Sequence, residues 1–174
     1  MRLIASVDES WALGQGGGLL YHTQADVRHL RELTMGHVLL MGGKTFRSLP
    51  NGALPGRVNI VLSRGEYHAV ATPAHVAHTV DEALSALEQY PDKEHFIFGG
   101  GEIYRLLLPY CNHADITRYA HTRRADTFLP RLDGLPNWAK MSQSLWHEED
   151  SLRFCFEVWE NANPLRIAGK RGII

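Results

Sequence analysis

Four times in succession a short apolar run gives way to a glycine-rich or polar stretch and then to a segment of helical spacing, and this alternation restricts the fold more than any other feature. The runs are Leu3 to Val7, His37 to Met41, Val58 to Ser63 and His95 to Phe98. They are largely continuous rather than alternating, the pattern of strands buried on both faces. The segments that answer them, Gln24 to Thr34, Lys44 to Leu49, Val80 to Tyr90 and Glu102 to Leu108, carry apolar residues three and four apart, as in Ala83, Leu84 and Leu87. A further short strand is expected at His75 to His78. Repetition of this unit predicts a doubly wound α/β fold, with a mostly parallel central sheet, right-handed crossovers and helices on both faces. From Ala114 onward the helices cease. Ile116 to His121, Ala139 to His147 and Leu152 to Glu160 are expected to pair antiparallel at one edge, and Phe154, Phe156 and Val158 alternate with Cys155, Glu157 and Trp159.

A chain of 174 residues can bury a core without disulfide or metal staples, so one domain over 1–160 is expected. Residues 161–174 lack periodicity and include Pro164, Gly169 and Gly172, the composition of a loosely ordered tail. With 18 basic against 19 acidic residues, no overall field draws the chain to nucleic acid or an anionic membrane, which points to small-molecule partners. The opening Met1 to Val7 meets Asp8-Glu9 too soon for a signal peptide, and no apolar run reaches membrane-spanning length. Cys111 and Cys155 form no C-x-x-C, which suits a reducing cytoplasm. Ten histidines are scattered, and neither His75-x-x-His78 nor His147-Glu148-Glu149 matches H-E-x-x-H, so no metal site is expected.

Just after the loop Gly14 to Leu19 stands Asp26, which a helix over 24–34 places on one face with Leu30 and Leu33. A carboxylate against apolar surface is costly unless satisfied, and a flat heterocycle with two adjacent N–H donors would satisfy it. Thr23-x-x-Asp26 also fits a capping box, with Asp favoured by the helix dipole. Both readings stand at this level. Two glycine corners follow buried strands and open helices, Gly42-Gly43-Lys44-Thr45 and Gly99-Gly100-Gly101-Glu102. Such corners receive phosphate on backbone N–H groups, and two could share one pyrophosphate, although tight turn packing explains them as well. A P-loop would need glycine where Val38 stands, and no G-x-G-x-x-G follows the first strand.

In chain order, Gly14, Asp26 with Thr34, Met41 to Phe46, Leu54 to Arg64, Gly99 to Tyr104 and Asp126-Thr127 together resemble the dihydrofolate reductase family, from Leu3 to about Trp159. The resemblance implies hydride delivery from NADPH to the pteridine ring of dihydrofolate with protonation of the imine nitrogen, inhibition by antifolates, and a monomer. It implies that Asp26 and Tyr21 act in catalysis. Ala5, Leu19, Val27, Leu30, Leu49, Leu54, Phe98, Tyr104 and Thr117 would contact substrate, and Arg57 would pair with the glutamate-tail carboxylate. Ala5, Leu13 and Gly14 would meet the nicotinamide. Thr45, Gly99, Gly100, Gly101 and Glu102 would hold the pyrophosphate, with Lys44, Ser63, Arg64 and His78 at the adenosine end; Gly42, Gly43, Leu62, Ile103, Tyr104 and Thr127 complete the cofactor set. Family members usually have a cis peptide at the pair that here is Gly99-Gly100.

The chain departs from the family pattern in several places. Leu20-Tyr21 stands where Pro-Trp is common, so the catalytic water would meet a phenol rather than an indole. Gln24 replaces a frequent proline, Gly43 a frequent basic residue and Glu102 an occasional arginine. Gly16-Gly17-Gly18 suits a mobile lid over the nicotinamide. Two other readings share the motifs: the pyrimidine reductase of riboflavin synthesis, and a non-catalytic pterin or nucleotide binder.

Overall fold

A computed structural model describes residues 1–65 and 74–167. In chain order the elements are β1 (Arg2–Val7), β2 (Ala12–Gln15), β3 (Gly18–Leu19), α1 (Gln24–Thr34), β4 (Val38–Gly42), α2 (Gly43–Ser48), β5 (Val58–Leu62), β6 (His75–Ala77), α3 (Val80–Glu88), β7 (His95–Gly99) and α4 (Gly101–Leu107). They are followed by β8 (His113–Tyr119), β9 (Thr127–Phe128), β10 (Trp138–Gln143), β11 (His147–Glu149) and β12 (Leu152–Asn161). The large sheet runs β10-β12-β8-β1-β7-β4-β5-β6, with β11 on β12. Pairings from β8 to β6 are parallel, and β10, β11 and β12 join antiparallel.

Strand alternation divides the core into two layers. Leu3, Ala5 and Val7 of β1, with Val38 and Leu40 of β4, pack against Ala83, Leu84 and Leu87 of α3 and Ile103, Tyr104 and Leu107 of α4. Ile4 of β1, with Leu39 and Met41 of β4, packs on the other face beside Phe46 of α2 and Leu30 and Leu33 of α1. The continuous apolar runs are thus consumed on both faces, as the parallel arrangement requires.

The structure adjusts several boundaries. Ala139 to His147, expected as one strand, is two: the break falls where Ser144 N–H bonds Phe156 O at 2.8 Å and Phe156 N–H bonds Ser144 Oγ at 3.0 Å, which turns the chain before β11. The strand expected from Ile116 begins at His113, because Asn112 and His113 follow directly on a 3-10 turn, Leu108–Tyr110, that carries Pro109 where no helical N–H is needed. A second, three-stranded sheet, β3-β2-β9, takes β2 and β3 from the segment read as plain loop and β9 from Thr127–Phe128. Its strands are too short and too rich in glycine to leave a period-two signal. In the expected tail, Leu165 N–H bonds Pro109 O at 2.8 Å and Ile167 packs on the larger core cluster; residues 168–174, including Gly169 and Gly172, lie outside the described residues. Among the described residues no helix is long and apolar enough to cross a membrane.

Candidate active site

Helix α1 delivers Asp26 to the sheet. Its N-cap is Thr23, whose hydroxyl accepts from Asp26 N–H at 3.2 Å. The other first-turn amides are met from the far end of the chain, where Glu149 accepts from Ala25 N–H at 3.0 Å and from Gln24 N–H. The capping hydrogen bonds are thus accepted by Thr23 and Glu149, and the Asp26 side chain makes none of them. Its carboxylate turns to the sheet instead: Oδ1 accepts from Thr117 Oγ1 at 2.6 Å and Oδ2 from Ser6 Oγ at 2.7 Å. Thr117 is on β8 and Ser6 on β1, directly paired in register, so both hydroxyls project to the α1 face. Burial, and next the negative charge of Asp26, push the phenols of Tyr104 and Tyr119 upward, so both stay protonated. Tyr104 donates to Ile4 O at 2.7 Å, and Tyr119 shares a 2.9 Å bond with Thr23.

Half-buried Leu30, Leu49, Leu54 and Phe98 converge beside this carboxylate's face of the sheet, on the cluster of Ile4, Phe46 and Ala53. Val27 and Leu19 stand at 41% and 69% exposure, an apolar rim open to solvent. Arg57 bonds Thr34 Oγ1 at 2.9 Å and Pro55 O at 3.0 Å, and its proton affinity is lowered by partial burial and by the neighbouring Arg31. Two cations thus sit close together at this end, a pairing that spacing alone did not disclose.

Tyr21 takes a different place from the one expected. It is 4% exposed, stacks on Tyr119 at 4.6 Å between ring centroids, and lies under the Arg123 guanidinium, also at 4.6 Å. Its hydroxyl is buried and closes no hydrogen bond among the described residues. Burial, and next the charge of Asp8, raise its pKa.

At the C-terminal ends of β4, β5 and β7, a cavity of about 710 Å³ joins the two glycine corners. Gly42, Gly43, Lys44, Thr45, Leu62, Ser63, Arg64, His78, Gly100, Gly101, Glu102, Ile103 and Thr127, all expected at a cofactor, line it. So do Arg47 and Arg105, which belong to none of the motifs. The corners are bare because they have no room: a Cβ on Gly42 would lie 2.9 Å from Ile103 Cγ1, and one on Gly101 2.8 Å from Thr127 Cγ2. The Gly99-Gly100 peptide is cis. Neither α2 nor α4 receives a side-chain hydrogen bond at its N-cap. At the rim of this cavity, His78 Nδ1 lies 2.9 Å from Ser63 O. Ala5 and Leu13 are buried in the larger core cluster, and Gly14 pairs with Leu19 in the small hairpin.

That hairpin is tied down from β9. Asp126 Oδ2 accepts from Gly16 N–H at 2.7 Å, its Oδ1 accepts from Thr127 Oγ1 at 2.8 Å, and its own N–H bonds Gly14 O at 3.1 Å. These bonds, led by that from Gly16, hold the Asp126 carboxyl below its ordinary pKa. Arg123 holds the next stretch, donating to Leu20 O at 2.7 Å.

A family model described as Dihydrofolate reductase matches residues 1–161. The chain is 37% identical over 134 residues to a Mycobacterium tuberculosis dihydrofolate reductase, covering 76% of this chain and 75% of that protein. It is 28% identical over 160 residues to one from Staphylococcus haemolyticus, covering 91% and 93%. Among solved structures, the Enterococcus faecalis dihydrofolate reductase complexed with NADP(H) and RAB-propyl superposes with a TM-score of 0.78 at 26% identity, covering 93% of this chain and 96% of that one.

Proposed function

From the premise that the chain belongs to the dihydrofolate reductase family, we propose that Asp26 is the residue on which its chemistry turns. The reaction is reduction of 7,8-dihydrofolate to 5,6,7,8-tetrahydrofolate, with NADPH as cofactor. The observation that carries the role of Asp26 is its pair of hydroxyl donors, one on each oxygen. A carboxylate has about four acceptor sites, so one remains on each oxygen for the pterin's amino group and adjacent ring N–H. That bidentate contact fixes the ring, polarises it, and with an ordered water supplies the proton to the imine nitrogen.

Leu30, Leu49, Leu54 and Phe98 enclose the ring and benzoyl group, with Val27 and Leu19 closing from the rim. Arg57, with Arg31 beside it, receives the glutamate tail. The cofactor contributes the hydride, to the carbon next to the imine nitrogen. Thr45 and the corners at Gly42 and Gly100 to Glu102 would hold its pyrophosphate, and Lys44, Arg64, Ser63 and His78 its adenosine end. Arg47 and Arg105 offset the negative charge that Glu102 brings to the same cavity. Tyr21 serves as a wall beneath the lid rather than as a hydrogen-bond donor to the catalytic water. A monomer is part of this proposal, and the two free cysteines suit a reducing cytoplasm.

Asp26→Asn tests the reading. Loss of the positioned anion is expected to lower turnover of dihydrofolate by at least about 100-fold, the scale of a general acid–base contribution. NADPH affinity, measured by fluorescence titration, is expected to stay within about twofold, because Asp26 does not line the cavity at the glycine corners. Full turnover by the variant would remove Asp26 from the mechanism.

A further inference from the structure

Ser6 breaks the apolar run of β1, and its position in the strand decides what it touches. Leu3, Ala5 and Val7 turn to the core cluster under α3 and α4, so the intervening Ile4 and Ser6 turn to the α1 face. A hydroxyl in a strand covered on both faces is unfavourable unless it is hydrogen-bonded. Ser6 Oγ meets that requirement by donating to Asp26 Oδ2 at 2.7 Å, while its register partner Thr117 donates to Oδ1 at 2.6 Å. Both separations are those of charge-assisted O–H···O⁻ bonds.

We infer that Ser6 is a positioning residue for the reaction: together with Thr117 it fixes the plane of the Asp26 carboxylate against rotation. The terminal torsion of an aspartate is intrinsically broad, so a single tether leaves the carboxylate free to turn about it. Two tethers from adjacent strands, one on each oxygen, remove that freedom. A planar ring that offers two neighbouring N–H donors is held well only when both remaining acceptor sites lie in its plane. Ser6 touches neither ring nor cofactor in this account and acts through Asp26, so the inference rests on the pterin-binding role of Asp26 proposed above.

Ser6→Ala deletes one tether with little change in volume. Its kcat/KM for dihydrofolate is expected to fall about tenfold, the usual consequence of losing one hydrogen bond to a charged group. Affinity for a 2,4-diaminopyrimidine, which presents the same paired donors, is expected to fall in parallel, while NADPH affinity stays within about twofold. Ser6→Thr, which keeps the hydroxyl, is expected to recover most of the loss. In an Asp26→Asn background, Ser6→Ala is expected to change diaminopyrimidine binding by less than about twofold, because there is no longer a carboxylate to orient. An unaltered kcat/KM in Ser6→Ala overturns the inference. So does an equal loss of NADPH affinity, or a full effect that persists in the double variant, where the carboxylate is gone. Retention of turnover by Asp26→Asn alone would instead defeat the role of Asp26 itself.

Discussion

Gly14 sits where the lid hairpin has no space for a side chain. A Cβ built there would lie 2.4 Å from Gly18 O and 3.4 Å from Gly18 C, backbone atoms that cannot swing aside as a flexible side chain would. Gly14→Ala therefore forces Gly18 back by roughly 1 Å to reach ordinary contact, and overpacking of this kind costs about 1–3 kcal/mol. Reduced freedom of the unfolded chain returns about 0.5–1 kcal/mol, leaving a net cost of about 1–2 kcal/mol. The hairpin is held by the short ladder Gly14↔Leu19 and Gln15↔Gly18 and by the Asp126 bonds to Gly14 and Gly16. Opening this small unit relieves the strain more cheaply than unfolding the domain, so the cost falls on lid closure. The thermal midpoint is expected to drop by no more than about 2–4 °C. The rate of dihydrofolate-dependent NADPH oxidation, followed by absorbance, is expected to fall about five- to thirtyfold. Gly18→Ala supplies the contrast, since its Cβ would sit 3.8 Å from Gln15 O without displacing anything. Equal activities for the two variants would refute the steric argument.

Arg64→Ala is expected to weaken NADPH about tenfold while leaving NADH nearly unchanged, because the arginine at this cavity rim is assigned to the 2′-phosphate; equal weakening in parallel titrations would defeat the assignment. Burial pushes the Cys111 thiol up to about 12 and that of Cys155 up to about 11, so alkylation by iodoacetamide at pH 8 is expected to require unfolding. The same shifts set a pH window for stability. Each thiol ionises near its ordinary value of about 8.5 when unfolded, so the stabilisation is whole below that pH and is lost as pH rises through 9 toward 11. A thermal midpoint that stays flat from pH 8 to 10.5 would contradict it.

Much of the architecture was legible because its signals are local. Val38 to Met41 is apolar at every position whichever strands flank it, and Ala83, Leu84 and Leu87 keep helical spacing without reference to the rest of the chain. The glycine corners were visible as bare Gly-Gly runs, although the crowding at Gly42 and Gly101 comes from Ile103 and Thr127, which only the fold brings near. Where local signal was thin, the reading fell short. Four residues of β2 and two of β3 carry no period, and Ser144 ends a strand only through bonds to Phe156, a residue far along the chain.

The amino-acid order by itself thus determined the α/β layering and the helix that bears Asp26, because burial periodicity acts over a few residues, and it displayed the paired glycine corners without what crowds them. The tertiary structure alone decided what meets that carboxylate. Ser6 and Thr117 reach it only because β1 lies beside β8 in one register, and Glu149 takes over the capping of α1 only because β11 folds back to its first turn. It also decided that Tyr21 stacks on Tyr119 beneath the Arg123 guanidinium. Strand order and register are set by burial summed over the whole sheet, and no short stretch of sequence contains that sum.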